Sequence, residues 1–269
     1  MPPVTLPLTA CVIAFDEEQK IEACLRSVDF CAQVIVVDSH STDRTRELAA
    51  ALGARVLERD WPGHIEQKNF AIDQAETEWV LCLDADERVT PALRARIEAA
   101  LTAPAADGYT VNRRNIYLGA WIRRGGWYPD RKLRLFRRAR GRWGGVNPHD
   151  HVQVEGRVED LGADLEHLSY DSIADHLKTI DYFSTIAAGE KLSRGQRGLG
   201  LQLLLNPPFK FFKMYVLERG FLDGWRGLIV AALGAFYVFL RYAKLWEAVR
   251  VEGRARGTGE RVVYGRKGE

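Results

Sequence analysis

Short apolar runs alternate with stretches of helical periodicity through the first hundred residues. Residues 8–15 form an apolar run bounded by acidic residues and predict a strand, after which Ile21, Leu25 and Val28 recur at helical spacing. Residues 33–38 predict a second buried strand. Ser41, Thr42 and Asp43 offer capping groups for a helix running to about Leu52, with Gly53 as its stop. Residues 54–58 predict a third strand, 65–75 a helix and 79–84 a fourth strand. This rhythm predicts an α/β fold: a Rossmann-like, mostly parallel central sheet with helices on both faces. Ligands of such sheets bind beyond the carboxyl ends of the strands. Asp16-Glu17, Asp38-Ser39 and Asp84-Ala85-Asp86 all fall at such ends, so three acidic clusters are expected to meet in one crevice.

Beyond Tyr109 the pattern changes to strand-like pieces broken by glycine, read as an extension of the same sheet towards an acceptor. Residues 171–194 are helical by pattern, and Pro207-Pro208 opens a last segment that mixes aromatics with Lys and Arg. The expected layout is a ligand-binding half over 1–105, an acceptor-side half over 106–200, an amphipathic helical appendage over 201–252 and a disordered tail over 253–269. Phe209, Phe211, Phe212 and Tyr215 interleave with Lys210 and Lys213, and Phe221, Trp225, Leu228 and Ile229 continue the apolar stripe. That pattern fits helices resting on an anionic membrane surface, with packing on the main domain or a homodimer interface as the other readings. The longest apolar run, 228–240, is shorter than the roughly 20 residues of a spanning helix, so no transmembrane helix is expected.

A net charge of +2 over 269 residues gives no nucleic-acid footprint. The four cysteines lack CxxC spacing and sit in apolar surroundings, which favours buried thiols in a reducing compartment over a zinc site or disulfides. The first residues lack the basic start and apolar core of a secretory signal, so the expected location is cytoplasmic, peripheral on the inner face of the membrane.

Asp84 and Asp86, one residue apart at a strand end, are placed to share a divalent cation, Mg²⁺ or Mn²⁺, that neutralises a departing diphosphate. Capping of the following helix is the alternative. Asp38 is placed to accept hydrogen bonds from a base edge or ribose, whereas Ser41 and Asp43 read as helix caps. Arg131, Lys132 and Arg134 alternate with apolar residues, so one strand face is read as presenting cations to a phosphorylated acceptor; a charged edge strand is the other reading. Trp127 is read as stacking on a sugar of the acceptor, or as core.

Taken together, Ala14-Phe15-Asp16-Glu17-Glu18, Val36 through Asp43, Gln67-Lys68-Asn69-Phe70-Ala71 and Leu83-Asp84-Ala85-Asp86-Glu87 resemble family 2 glycosyltransferases of the GT-A fold, closest to the lipopolysaccharide inner-core β-glucosyltransferase group. The resemblance implies inverting transfer of a hexose, glucose from UDP-glucose, from a nucleotide-diphosphate sugar donor to a lipid-linked saccharide such as the lipopolysaccharide inner core. It places Phe15, Glu17, Asp38, Asp84 and Ala85 against the donor, Lys68 near its diphosphate or base, and Asp86 and His167 on the metal. Inversion needs a base for the acceptor hydroxyl, and the resemblance assigns Asp150, at the end of Gly145-Val146-Asn147-Pro148-His149-Asp150, where the group carries a His-Glu pair. Asp16 departs from the usual asparagine. Two rivals are a haloacid-dehalogenase-like phosphatase, whose nucleophile strand Leu83-Asp84-Ala85-Asp86 resembles although Arg88 replaces its threonine, and a non-catalytic nucleotide-sugar-binding or scaffold protein.

Overall fold

In the computed structural model, residues 5–146, 149–196 and 200–258 are described. The elements follow in the order β1 (Leu6–Ala14), α1 (Ile21–Arg26), β2 (Cys31–Asp38), α2 (Thr45–Ala51), β3 (Arg55–Glu58), α3 (His64–Asp73), β4 (Trp79–Asp84), β5 (Glu87–Val89) and α4 (Pro91–Thr102). They continue with β6 (Gly108–Tyr117), β7 (Ala120–Trp121), β8 (Asp130–Arg137), β9 (Gly141–Val146), β10 (His149–Val154), β11 (Val158–Tyr170), α5 (Ile173–Ser193), α6 (Gly200–Phe212) and α7 (Gly224–Thr258). Among the described residues the main sheet runs β3-β2-β1-β4-β8-β6-β11-β5, with β7 on β6. The β3-β2-β1-β4 half is parallel, and β8 joins β4 antiparallel. The α/β architecture expected of a GT-A domain is the one that forms, and β9 and β10 add a separate antiparallel ribbon.

Side chains of a strand point alternately to the two faces of its sheet, and both faces here are apolar. Leu8, Ala10 and Val12 of β1 and Leu81 and Leu83 of β4 pack under α1 and α4 with Ile21, Leu25, Leu93 and Ile97. Cys11, Ile35, Val37, Val80 and Cys82 pack on the other face under Ala71 and Ile72 of α3 and Trp143 and Val152 of the ribbon. All four cysteines are free and buried, as expected. Leu81 is fully buried; Leu81→Ala is expected to cost about 2–5 kcal/mol, lost transfer energy plus a cavity, as read from urea denaturation midpoints.

Helix ends refine the sequence reading. Gly53 stops α2 with φ +81°, as expected, because glycine adopts this backbone without a Cβ penalty. Asp43 Oδ1 accepts from Thr45 N at 2.9 Å, but Ser41 is not a cap: its hydroxyl donates to Asp38. The helix after Asp86 is capped by Thr90, whose Oγ1 accepts from Leu93 N at 3.1 Å, with Pro91 in the first turn. Capping therefore does not explain Asp84 or Asp86.

The chain divides into two compact units, Met1–Asn115 with Pro129–Ser169, and Ile116–Tyr128 with Tyr170–Glu269. The first holds the sheet; the second is mainly α5, α6 and α7. In the second unit Val238, Tyr242 and Leu245 of α7 pack with Ala188 of α5 and Leu203 of α6. α7 is longer than the sequence reading allowed: 220–250 form a helical stretch whose most apolar 18-residue window has a mean hydropathy of 1.6 and is only 28% buried, long and apolar enough to cross a membrane by length and composition. The helix continues to Thr258, and the rest of the expected disordered tail, 259–269, lies outside the described residues.

An aromatic cluster also lies in this unit. His176 stacks on Tyr170 at 4.2 Å between ring centroids, and its Nδ1 lies 3.2 Å from Tyr117 Oη. Burial pushes the His176 imidazole down to about 4 from its usual 6.5. The unfolded chain therefore takes up this proton first, so stability is complete above pH 6.5 and declines as pH falls towards 4. The decline is expected to total about 3 kcal/mol, and this part of the pH–stability curve is expected to flatten in His176→Phe.

Candidate active site

The parallel register brings the acidic clusters together. Ala14 at the end of β1 pairs with Asp38 on one side, and Ile13 pairs with Asp84 on the other. Phe15 follows β1 and is exposed, open to a planar ligand. Glu17 N donates to Thr45 Oγ1 at 2.8 Å, and the Glu17 carboxylate pairs with Lys20 at 3.7 Å. Asp16 explains its own departure from asparagine. Its φ is +51°, a region that Asp and Asn tolerate best after glycine, and its Oδ1 accepts from Thr42 N at 2.7 Å, which either residue can do.

Asp38 is placed differently from the expectation of direct ribose contact. It is fully buried, with Oδ1 accepting from Ser41 N at 2.8 Å and Oδ2 from Ser41 Oγ at 2.5 Å. Ser41 Oγ in turn accepts from Asp16 N at 2.9 Å. Asp38 thus holds the β1 and β2 end loops together.

Lys68 is not an exposed helix lysine. It is 7% exposed, and its Nζ lies 2.9 Å from Asp150 Oδ2 and 3.3 Å from Asp84 Oδ1. It also sits 4.1 Å over the Trp143 ring, a cation–π contact. Asn69 ties α3 to the ribbon: its Nδ2 donates to Trp143 O at 2.9 Å and its Oδ1 accepts from Trp143 N at 3.0 Å. One helix turn therefore positions both the lysine and the strand pair that carries Asp150.

The second oxygen of Asp84 takes Arg134, whose Nη2 lies 3.0 Å from Asp84 Oδ2 and 2.5 Å from Glu87 Oε1. Glu87 is fully buried and also accepts from Asp84 N at 3.1 Å. Burial pushes the Asp84 carboxyl up, but Lys68 and then Arg134 outweigh it and hold it far below the usual carboxylate range. Burial likewise opposes the charge on Arg134, while Glu87 and Asp84 keep the guanidinium firmly protonated.

Arg134 is a correction to the sequence reading, which set it beside Arg131 on one acceptor-facing strand face. Tyr109 pairs with Leu135 and Thr110 with Leu133, so Arg134 is the extra residue of a β-bulge and leaves the alternation. It turns inward and is 3% exposed, while Arg131 stays on the surface beside Asp160 at 3.2 Å. Nor is β8 an edge strand, since it lies between β4 and β6. Trp127 belongs to the second unit, edge-on to Tyr117 at 5.6 Å within the aromatic cluster.

Asp86 and His167 meet, with His167 Nε2 3.2 Å from Asp86 Oδ2. Nδ1 of His167 lies 2.7 Å from Asn115 Oδ1 and 2.9 Å from Ser169 Oγ. An amide oxygen only accepts, so Nδ1 supplies the proton of that contact, which leaves Nε2, when it carries no proton of its own, to turn a lone pair towards the carboxylate. Asp86 Oδ1 is buried without a hydrogen-bond partner. Two electron-rich groups facing each other beside an unsatisfied carboxylate oxygen fit a divalent cation, whose remaining positions would fall to phosphate oxygens or water. Among the described residues no group of three or more His, Cys, Asp or Glu side chains is arranged as a complete cage. Ala85 is buried between the two aspartates.

Sequence reasoning missed Glu87, Asn115 and Trp143. Glu87 stood within a quoted motif, and only its register opposite His167 on β11 shows why it is buried. Asn115 and Trp143 carry no local signal, because their partners lie 52 and 74 residues away in sequence.

Glycosyl transferase family 2 matches residues 9–155 of the chain. A lipopolysaccharide core biosynthesis glycosyltransferase, LpsC, of Rhizobium meliloti (strain 1021) is 31% identical over 262 residues, covering 93% of this chain and 95% of that protein. Among solved structures, glucosyl-3-phosphoglycerate synthase from Mycobacterium tuberculosis, in complex with Mn²⁺, UDP and glucosyl-3-phosphoglycerate, aligns over 40% of this chain and 43% of its own at 26% identity and a TM-score of 0.34. S. aureus TarS 1-349 aligns over 96% and 93% at 14% identity and a TM-score of 0.48.

Proposed function

The chain belongs to glycosyl transferase family 2, and from that premise we propose that it transfers glucose from UDP-glucose, with inversion and with a divalent cation, to a lipid-linked saccharide of the lipopolysaccharide inner core. The observation that carries this reading is the bridge at Lys68, where one buried cation joins Asp84 at the parallel strand ends to Asp150 on the ribbon. A donor diphosphate reaching the strand ends enters beside Lys68 and Arg134. An acceptor hydroxyl on the far side of the sugar meets Asp150. Attack from that face inverts the anomeric carbon, and Asp150 takes the hydroxyl proton as the new bond forms. Lys68 orients the carboxylate through its 2.9 Å contact. Phe15 offers the base an aromatic face, and Glu17 and the loop held by Asp38 and Ser41 line the ribose.

Asp86 and His167 would hold the cation, which when bound supplies positive charge for the departing nucleoside diphosphate. The likeness to LpsC supports the lipopolysaccharide core as acceptor class, and the motif resemblance supports glucose and UDP. Family membership removes the phosphatase reading. A lipid-linked acceptor sets the enzyme peripherally on the inner face of the cytoplasmic membrane.

Radiolabelled transfer from a panel of nucleotide sugars to membrane extracts tests the donor and acceptor; UDP-glucose is expected to give product, and labelling from another donor alone would overturn it. Calorimetric titration with UDP tests the metal. Removing divalent cations with EDTA is expected to weaken UDP binding at least about tenfold. Equal affinity with and without chelator would remove the metal from the reading.

A further inference from the structure

α6 is built inside out. Leu201, Leu204, Leu205, Phe209 and Phe212 recur at helical spacing and all face away from the protein, with Leu201 and Leu204 each 70% exposed. The inward side mixes Leu203 and Phe211 with polar groups. Asn206 Nδ2 donates to Tyr242 Oη of α7 at 2.8 Å, and Lys210 is half-buried, its ammonium pushed down by burial. The apolar surface continues through the turns that follow, where Leu217, Phe221 and Leu222 are exposed and Trp225 is 80% exposed. This surface differs from the stripe read in the sequence: Phe211, Tyr215 and Ile229 pack inward against Met214 and Val230.

A contiguous apolar surface of this kind is not tolerated facing water and marks an interaction site. Charge names the partner. From Lys191 to Trp225 the chain carries six cations against two acidic residues, Glu218 and Asp223. With 13 residues, α6 is about 20 Å long, too short to cross a bilayer but suited to lying in its plane. α7 supports it from behind and is tied to α5 by Lys244 Nζ, which donates to Asp181 O at 2.6 Å and to Thr185 Oγ1 at 2.7 Å.

We propose that α6 and the turns through Trp225 form the membrane-inserted edge of the helical unit, seating these leucine and aromatic side chains among the acyl chains of an anionic phospholipid interface. Lys213 and Arg194 lie at the headgroup level. The proposal rests on the peripheral membrane reading above and names the surface responsible.

Co-sedimentation of the full chain with vesicles of phosphatidylcholine alone, and of phosphatidylcholine with phosphatidylglycerol, tests it. The wild type is expected to bind the anionic vesicles more tightly and to be released by salt. Leu204→Glu with Phe209→Glu is expected to weaken binding at least about tenfold while leaving the melting temperature and UDP affinity unchanged; Leu217→Glu is a second, single test of the same edge. Vesicle binding that survives both variants overturns this surface and leaves the membrane reading standing. A wild type that ignores both vesicle types overturns the membrane reading itself. Gel filtration showing a dimer dissociated by the same substitutions, without vesicle binding, assigns the surface to a second copy and overturns the proposal.

Discussion

Replacing Asp150 with Asn is expected to lower the transfer rate by about 10²–10⁴-fold while changing UDP affinity by less than about threefold. Asn keeps the size of the side chain and an oxygen for Lys68 Nζ, now 2.9 Å from Asp150 Oδ2, so the ribbon and the lysine should stay in place. What is lost is the carboxylate that the proposed function assigns to the acceptor proton. Single-turnover transfer measured beside calorimetric UDP binding separates the two effects. A variant that retains wild-type turnover would remove Asp150 as the base, and one that loses UDP binding as well would reassign it to holding the site together.

The second large effect is expected at Arg134. Its guanidinium is buried and serves two carboxylates, one of them, Glu87, fully buried. Arg134→Met removes the cation and leaves the buried Glu87 with Arg113, 3.9 Å away, as its remaining ion-pair contact, which is expected to cost about 3–5 kcal/mol by urea denaturation. The double variant Arg134→Met with Glu87→Gln is expected to recover part of that loss, because no unpaired charge is then buried. Additive losses in the double variant would show that Arg134 acts through packing alone.

Most of the parallel half of the sheet was legible because β1, β2 and β4 are largely buried and read as apolar runs, and the acidic strand ends followed from that topology. The rest was hidden for identifiable reasons. Arg134 stands three residues from Arg131, an odd spacing that already separates the two on a strand, and its place in a bulge and its inward turn show only in the pairing with β6. Lys68 lies in an ordinary helical pattern, and only the distant Trp143 and Asp150 make it a buried cation. In α6 the periodicity defined an apolar stripe but not its direction, since Leu203, Phe211 and the Asn206–Tyr242 hydrogen bond seat the opposite face. α7 was read too short because Arg226 and Arg241 interrupt its apolar run; Arg226 donates to Leu118 O at 3.0 Å instead of ending the helix.

The amide of Asn69 has a mechanical consequence. By matching one donor and one acceptor to the main chain of Trp143, it imitates a rung of a ladder and couples α3 to the ribbon. Movement of the hairpin is therefore expected to carry Lys68 along, which holds the spacing between the Asp150 carboxylate and the ammonium.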